Sequence, residues 1–399
     1  MSGIADRLEE LRDSGLYRRL RLVEGRQGPR ITLDGRDVLL LCSNDYLGLA
    51  AHPRVRNAAA EAAMRWGAGS GASRLISGNM QPHQRLERRI AEFKGYESAL
   101  LFGSGYLANS GTIGALAGRG EVVFSDELNH ASIIDGCRLS RAETFVYRHA
   151  DVEHLAWGLE QAGERAALIV TDGVFSMDGH IAPLPELVAL ARRHGCRLMV
   201  DEAHATGALG PGGRGSVAAA GLSGEVDIVM GTLGKALGSY GAYVCANRET
   251  TDYLLNTARS FIFSTAPPPP VAAAGLAALE LLEAQPERVE KLGANATTLR
   301  GALAGEGLAV GEGRAQIVPV EVGDPERTME LCERILERGV FAQGIRPPTV
   351  PAGTSRLRFT VMSTHRREEL EGAARTVGAA ARELGIGVGA GAAPQAVAA

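Results

Sequence analysis

Three short apolar runs in this chain each end in residues that can do chemistry. "ALIV" runs into Thr171, Asp172 and Ser176, "RLMV" into Asp201 and, three residues on, His204, and "DIVM" into Thr232 and Lys235. Strands of this kind, lying side by side, would deliver carboxylates, an imidazole and an ammonium group to one edge of a sheet. In open α/β sheets, ligands bind beyond the carboxyl ends of the strands. Any one of these residues alone reads as a structural polar group. Together, at consecutive strand ends, they point to a site rather than to a structural ion-pair cluster.

Another run, "SALLF", leads into "GSGYLANSGTIGAL", a strand ending in a glycine-rich turn before a helix. Backbone N–H groups and the helix dipole make such a turn an anion site, and glycine lets a phosphate approach closely. Gly103, Gly105 and Ala108 also fit the G-x-G-x-x-G/A dinucleotide fingerprint, and Asp126 closes the next strand, "EVVFSD", where a ribose-binding acid would stand. An NAD-dependent dehydrogenase is therefore one reading. A Walker A loop is excluded, because "MGTLGKA" lacks its first glycine and has Ala236 where Ser or Thr must hold magnesium. Lys235 argues for a different cofactor. Pyridoxal 5'-phosphate takes a lysine on its aldehyde as a Schiff base, an acid at its ring nitrogen and a helix N-terminus at its phosphate. The small residues around Lys235 would desolvate the amine and lower its pKa, which hydride transfer does not need.

The elements that must hold these residues follow from the apolar pattern. From residue 95 onward, "SALLF", "EVVF", "ETFVY", "AALIV", "CRLMV", "VDIVM" and "AYVCA" alternate with amphipathic segments, the pattern of a mostly parallel sheet covered on both faces. That predicts an α/β fold. "PHQRLERRIAEF" puts Leu86, Ile90 and Phe93 on one helical face. "APPPP" breaks the pattern before a long helix expected from about residue 271 to 284. The later segments "QIVPVEVG", "RTMELCERILERG" and "SRLRFTVM" read as a smaller α+β unit. The expected organisation is a helical and extended segment over 1–47, a large α/β domain over 48–285, a small α+β domain over 286–384, and a disordered tail over 385–399.

Composition narrows the class. A net charge of −4 without a long basic block excludes a nucleic-acid partner, and 45% hydrophobic residues supply a substantial core. The N-terminal stretch repeats apolar residues at helical spacing, unlike a signal peptide, and no run reaches the roughly 20 apolar residues of a membrane span. The expectation is a cytoplasmic protein. Five scattered cysteines signal neither a disulfide framework nor a metal site.

The motifs "SNDYLGLAAHP", "GSGASRLISGN", "LFGSGYLAN", "DELNHASIIDG", "DGVFSMDG", "VDEAHATGALG", "GTLGKALGSYGAYV", "FIFSTAPPP" and "IRPPTVPAGTSRLRFT" resemble the pyridoxal-phosphate α-oxoamine synthases of the aspartate-aminotransferase fold. The resemblance covers nearly the whole chain. It implies the fold-type I architecture and a decarboxylative Claisen-type condensation of an amino acid with an acyl thioester. Its alanine-using branch, with a pimeloyl thioester of CoA or of acyl carrier protein, fits "GASRLISG" and "IRPPTVP". Sister branches use glycine with acetyl- or succinyl-CoA, or serine with a long acyl thioester. By resemblance, Lys235 forms the Schiff base and moves protons at the substrate Cα, Asp201 pairs with the ring nitrogen, and His130 lies over the ring. His204 and Ser176 would reach the phenolic oxygen side. Gly105, Tyr106 and Thr232, with Ser264 and Thr265 from the second subunit of a homodimer, would hold the phosphate. Arg358 would take the amino-acid carboxylate, Arg18 and Thr349 would lie at the acyl end, and Asn44 would line the substrate site. Two departures stand out: Asp172 replaces the family's usual Glu, and His180, read as a solvated loop residue, replaces an acid.

Overall fold

Strand-forming runs bounded by turn residues account for most of the architecture. The computed structural model describes residues 3–387, and residues 388–399, most of the expected disordered tail, lie outside the described residues. After an N-terminal helix, Ile4–Asp13, the strands β1 (Val23–Glu24), β2 (Arg30–Leu33) and β3 (Arg36–Leu40) form an antiparallel sheet. The β2–β3 hairpin turns on Asp34 and Gly35, both at positive φ (49° and 78°), the geometry of a two-residue I′ turn.

The large sheet holds β4 (Ser98–Phe102), β5 (Val122–Asp126), β6 (Glu143–Tyr147), β7 (Ala166–Asp172), β8 (Arg197–Asp201), β9 (Ile228–Thr232) and β10 (Ala242–Ala246). Their order is β4-β10-β9-β8-β7-β5-β6. Only β10 runs against its neighbours, and the pairs from β9 to β6 are parallel. This is the mostly parallel sheet that the apolar runs predict. Every residue of β5 and β10 is buried, because helices cover both faces. β6 is the exception: it lies at the sheet's edge, and Val146 is exposed.

The long helix begins at Pro269, inside the proline run, since proline suits the first turn of a helix. It ends at Ala284, and a second helix, Glu287–Gly305, follows after Gln285 and Pro286. Beyond it lie β11 (Ile317–Gly323), β12 (Val340–Phe341), β13 (Gln343–Ile345) and β14 (Ser355–Thr360). β11, β14 and β13 form an antiparallel sheet. β12 instead pairs in parallel with β3, so the N-terminal strands and the C-terminal region share a sheet despite their separation in sequence. No described helix is long and apolar enough to cross a membrane.

The turn after β8 is held from beneath. Glu202, fully buried, pairs with the buried Lys94 ammonium and accepts from the Ser216 hydroxyl (2.9 Å) and the Val217 N–H (2.7 Å). Lys94 also donates to Thr206 Oγ1 (3.2 Å). Gly207, at φ +78°, lets the turn press on the next loop, because a Cβ there would stand 2.5 Å from the Cβ of Ala236. Removing one partner of a buried pair leaves an uncompensated charge. Lys94→Met should therefore lower unfolding free energy by about 3–5 kcal/mol in a denaturant titration. The double change Lys94→Met with Glu202→Leu should recover part of that loss.

Candidate active site

Parallel register sets two carboxylates beside each other. Asp172 at the end of β7 is paired with Asp201 at the end of β8, and both are buried. Asp201 Oδ2 accepts from Asn109 Nδ2 (2.8 Å), and Oδ1 accepts from the Ala203 N–H (2.8 Å). Asp172 Oδ2 accepts from the His130 backbone N–H (2.9 Å), which gives this departure from the family pattern a defined job: it holds the His130 loop. Burial and the neighbouring Asp201 push the Asp172 carboxyl well above the usual carboxylate range.

Asn109 gives its other N–H to Ser132 Oγ (2.8 Å), and that hydroxyl lies 2.7 Å from His130 Nδ1. The Ser132 backbone N–H also donates to Nδ1 (3.2 Å). With two donors on Nδ1, the neutral His130 ring carries its proton on Nε2. Asp201 and His130 are thus joined through Asn109 and Ser132, neither of which the motif reading selects.

A second chain of contacts contains the lysine. Lys235 Nζ lies 2.7 Å from His204 Nε2, His204 Nδ1 lies 2.6 Å from the Tyr46 hydroxyl, and that hydroxyl donates to Asn44 Oδ1 (3.1 Å). Arg358, on β14, donates from Nη2 to the same Asn44 oxygen (3.4 Å) and from Nε to the Ser176 carbonyl (2.5 Å). Burial lowers the Lys235 pKa to about 8, with Asp201 and Asp172 opposing that shift and Arg358 adding to it. Burial and the cations Lys235 and Arg358 hold His204 well below the ordinary histidine range, so its ring is neutral. Burial likewise raises the Tyr46 phenol.

The candidate anion residues sit at the ends of β4 and β9, the two strands that flank β10. The helix Gly105–Leu116 starts straight after β4, and Ser104 Oγ caps the Leu107 N–H (3.2 Å), while the N–H groups of Gly105 and Tyr106 face out of the helix end. The Tyr106 hydroxyl donates to Asp135 Oδ2 (2.6 Å). Thr232 Oγ1 donates to the Gly241 carbonyl (3.0 Å) and accepts from the Gly234 N–H (3.1 Å), bracing the turn that carries Lys235. Among the described residues, Ser264 and Thr265 make no side-chain hydrogen bond within the chain. Thr265 pairs by backbone with Ser73 and is exposed.

Arg18 and Thr349 fall elsewhere. They share a cavity of about 960 Å³ with Tyr17, Phe341 and Arg346, and Lys235 does not line it. The motif reading does not select Arg346, yet its buried Nε has no hydrogen-bond partner among the described residues and its Nη1 rests on the Met329 sulfur (2.9 Å). The dinucleotide fingerprint fails on its acid. Asp126 is buried and accepts from the Leu128 and Ala150 N–H groups (both 2.9 Å) and lies 3.0 Å from His149 Nδ1, so its carboxylate closes a turn and is not open to a ribose. His180 is no solvated loop residue: it is partly buried, with Nδ1 3.0 Å from His149 Nε2.

The class I and II aminotransferase family matches residues 36–377. The chain is 55% identical to the 8-amino-7-oxononanoate synthase of Geobacter sulfurreducens over 386 residues, covering 96% of this chain and 99% of that one. A serine palmitoyltransferase variant from S. paucimobilis, solved with a bound PLP–myriocin aldimine, superposes with a TM-score of 0.91 at 35% identity, covering 96% of this chain and 98% of that one. The 8-amino-7-oxononanoate synthase of Francisella tularensis gives a TM-score of 0.77 at 28% identity, over 88% of this chain and 99% of that one.

The environment of Lys235 makes a direct prediction. Only the neutral amine is nucleophilic, so an amine-reactive reagent should modify Lys235 at a rate that climbs with pH to a plateau, with its midpoint near 8 rather than at the ordinary 10.5. Peptide mass spectrometry across a pH series reads this, and a midpoint near 10.5 would refute the buried setting.

Proposed function

The chain belongs to the class I and II aminotransferase family, and within that family we propose that it is the enzyme that joins L-alanine to a pimeloyl thioester. The products are 8-amino-7-oxononanoate, carbon dioxide and the free thiol carrier, a step of biotin biosynthesis. The observation that carries this reading is the 55% identity, over nearly the full length of both chains, to a synthase of that name.

The site fits pyridoxal phosphate. The donor set has the required chemistry: a buried carboxylate on Asp201, a low-pKa amine on Lys235, and helix N–H groups at Gly105 and Tyr106. The cofactor, when bound, supplies an aldehyde that takes an amine and a ring that draws electrons from the amino-acid Cα. Lys235 would hold the aldehyde, Asp201 the ring nitrogen, and Gly105, Tyr106 and Thr232 the phosphate. His130 would cover the ring, and His204 and Ser176 would stand on its phenolic side. Arg358 binds the alanine carboxylate with its planar guanidinium, which Asn44 and the Ser176 carbonyl orient.

The residues then have these tasks. Lys235 removes the proton from the alanine Cα, the new bond forms between that carbon and the thioester carbonyl, and the C–S bond breaks to release the thiol. The β-keto acid so formed loses its carboxylate as carbon dioxide, and Lys235 returns a proton to the same carbon. Arg18, Thr349 and Arg346 bring cationic and polar groups to the cavity of about 960 Å³, chemistry that suits the carboxylate end of a dicarboxylic acyl chain. Carriers compatible with this reading are CoA and acyl carrier protein. A homodimer belongs to the same reading: the exposed Ile76 and Phe263 lie on the two segments that meet at the Ser73–Thr265 bridge, where Ser264 and Thr265 would serve the neighbouring site. So does a cytoplasmic setting, which five free cysteines support.

The closer superposition on a serine palmitoyltransferase favours a sister reaction as the second reading. The test is a half-reaction and turnover comparison on the cofactor-loaded protein. Alanine should perturb the visible spectrum more strongly than serine or glycine, and carbon dioxide should be released with pimeloyl-CoA. Release with serine and palmitoyl-CoA alone would move the assignment to the sister class. Lys235→Ala should show no turnover. Arg358→Lys, which loses the two-pronged donor, should raise the KM for alanine by roughly 10- to 100-fold with a smaller fall in kcat.

A further inference from the structure

Strand β14 sends two guanidinium groups to one face. Arg356 and Arg358 are two residues apart, roughly 7 Å along the strand, and both are buried. The loop after β7 receives both of them. Arg358 Nε donates to the Ser176 carbonyl (2.5 Å), and Arg356 Nη1 pairs with the largely buried carboxylate of Asp178. Arg356 Nε is occupied as well, by the Thr354 carbonyl (2.9 Å). Among the described residues Arg358 has no carboxylate partner, and its donors meet only the Ser176 carbonyl and the Asn44 amide oxygen.

The loop does not depend on the ion pair for its shape. The Phe175 N–H donates to the His180 carbonyl and the Gly179 N–H to the Phe175 carbonyl (both 2.9 Å). Gly179, at φ +70°, lies so close to β11 that a Cβ there would stand 2.8 Å from the Ile317 carbonyl oxygen. The contribution of the pair is therefore electrostatic. A guanidinium keeps its proton in proteins, so two of them on one buried face repel each other and attract anions unless a carboxylate compensates. We propose that Asp178 sets the charge of the carboxylate site: by pairing with Arg356 it leaves Arg358 as the one uncompensated guanidinium on this face, so that the site takes a single carboxylate and discriminates against dianions.

The inference rests on Arg358 as the carboxylate residue of the proposed function. Its test uses the cofactor-loaded protein, with amino-acid binding read from the visible spectrum and inorganic sulfate added as a competing dianion. The quantity that matters is the sulfate inhibition constant divided by the half-saturation for alanine. Asp178→Asn keeps the size, removes the charge and frees Arg356, and should lower that ratio roughly tenfold. Arg356→Gln leaves the Asp178 carboxylate to neutralise Arg358, and should move the ratio the other way while raising the half-saturation for alanine roughly tenfold. The double variant removes both charges and should return the ratio to within about threefold of the wild type, as replacing both members of a buried pair disturbs less than removing one. A purely structural pair would weaken alanine binding alike in both single variants and leave the ratio in place, and that result would overturn the proposal. So would a double variant that no longer responds to alanine, since Arg356 would then be the carboxylate residue; this outcome decides even where a single variant does not fold. A wild type that responds to serine and not to alanine overturns the proposed function alone, and the same series run with serine then decides the role of Asp178. A wild type that responds to no amino acid overturns both.

Discussion

An amine that must be partly neutral near physiological pH has to sit where water cannot stabilise its charge, and the cluster around Lys235 is shaped by that constraint. Desolvation is the largest influence on the amine, and Asp201 and Asp172 hold it back from falling further. Burial then imposes a second demand, because a buried polar group without a partner is costly. The two hydrogen-bonded chains, one through Asn109 and Ser132 and the other through His204 and Tyr46, meet that demand. The first also fixes the proton position on His130.

Strand alternation explains how one short segment serves both the site and the core. Consecutive residues of an extended chain point to opposite sides. Asp201 therefore turns to Asn109 while Glu202, the next residue, turns to Lys94 and Ser216. The ion pair anchors the turn whose later residues are His204 and Thr206, and Thr206 is tied in turn to β10 through the hydroxyl of Tyr243 (2.9 Å). A single rigid turn thus sets the distance between the carboxylate of Asp201 and the imidazole of His204.

What was legible in the sequence follows the same physics. The runs ending in Asp172, Asp201 and Thr232 are buried on both faces, so continuous hydrophobicity exposes them, and the parallel order sets their ends side by side. Asp201, His204 and Lys235 could be read because each lies within a few residues of such an end. Tyr46 and Asn109 could not, since their partners are 158 and 92 residues away and only tertiary packing joins them. Asn109 left one trace, an amide in the otherwise apolar and small helix after β4. The insertion of β10 between β4 and β9 was equally hidden, because a hydrophobic run carries no direction. The dinucleotide fingerprint misled for a physical reason: a glycine turn before a helix suits any phosphate, and Asp126 is consumed by its own loop.

The arginine and the lysine come from distant parts of the chain, yet the segment containing Asn44 and Tyr46 is stapled to β14. The Thr360 N–H donates to the Leu41 carbonyl (2.8 Å), its hydroxyl to the Ser43 carbonyl (2.7 Å), and the Ser363 N–H to the Tyr46 carbonyl (2.7 Å). Arg358, Asn44 and Tyr46 therefore move as one piece. Through that contact the guanidinium, the Asn44 amide and the hydroxyl that faces His204 are held in one arrangement. The parallel pairing of β12 with β3 adds a second tie between the two regions, which is why the N-terminal strands share a sheet with the C-terminal region rather than forming a unit of their own.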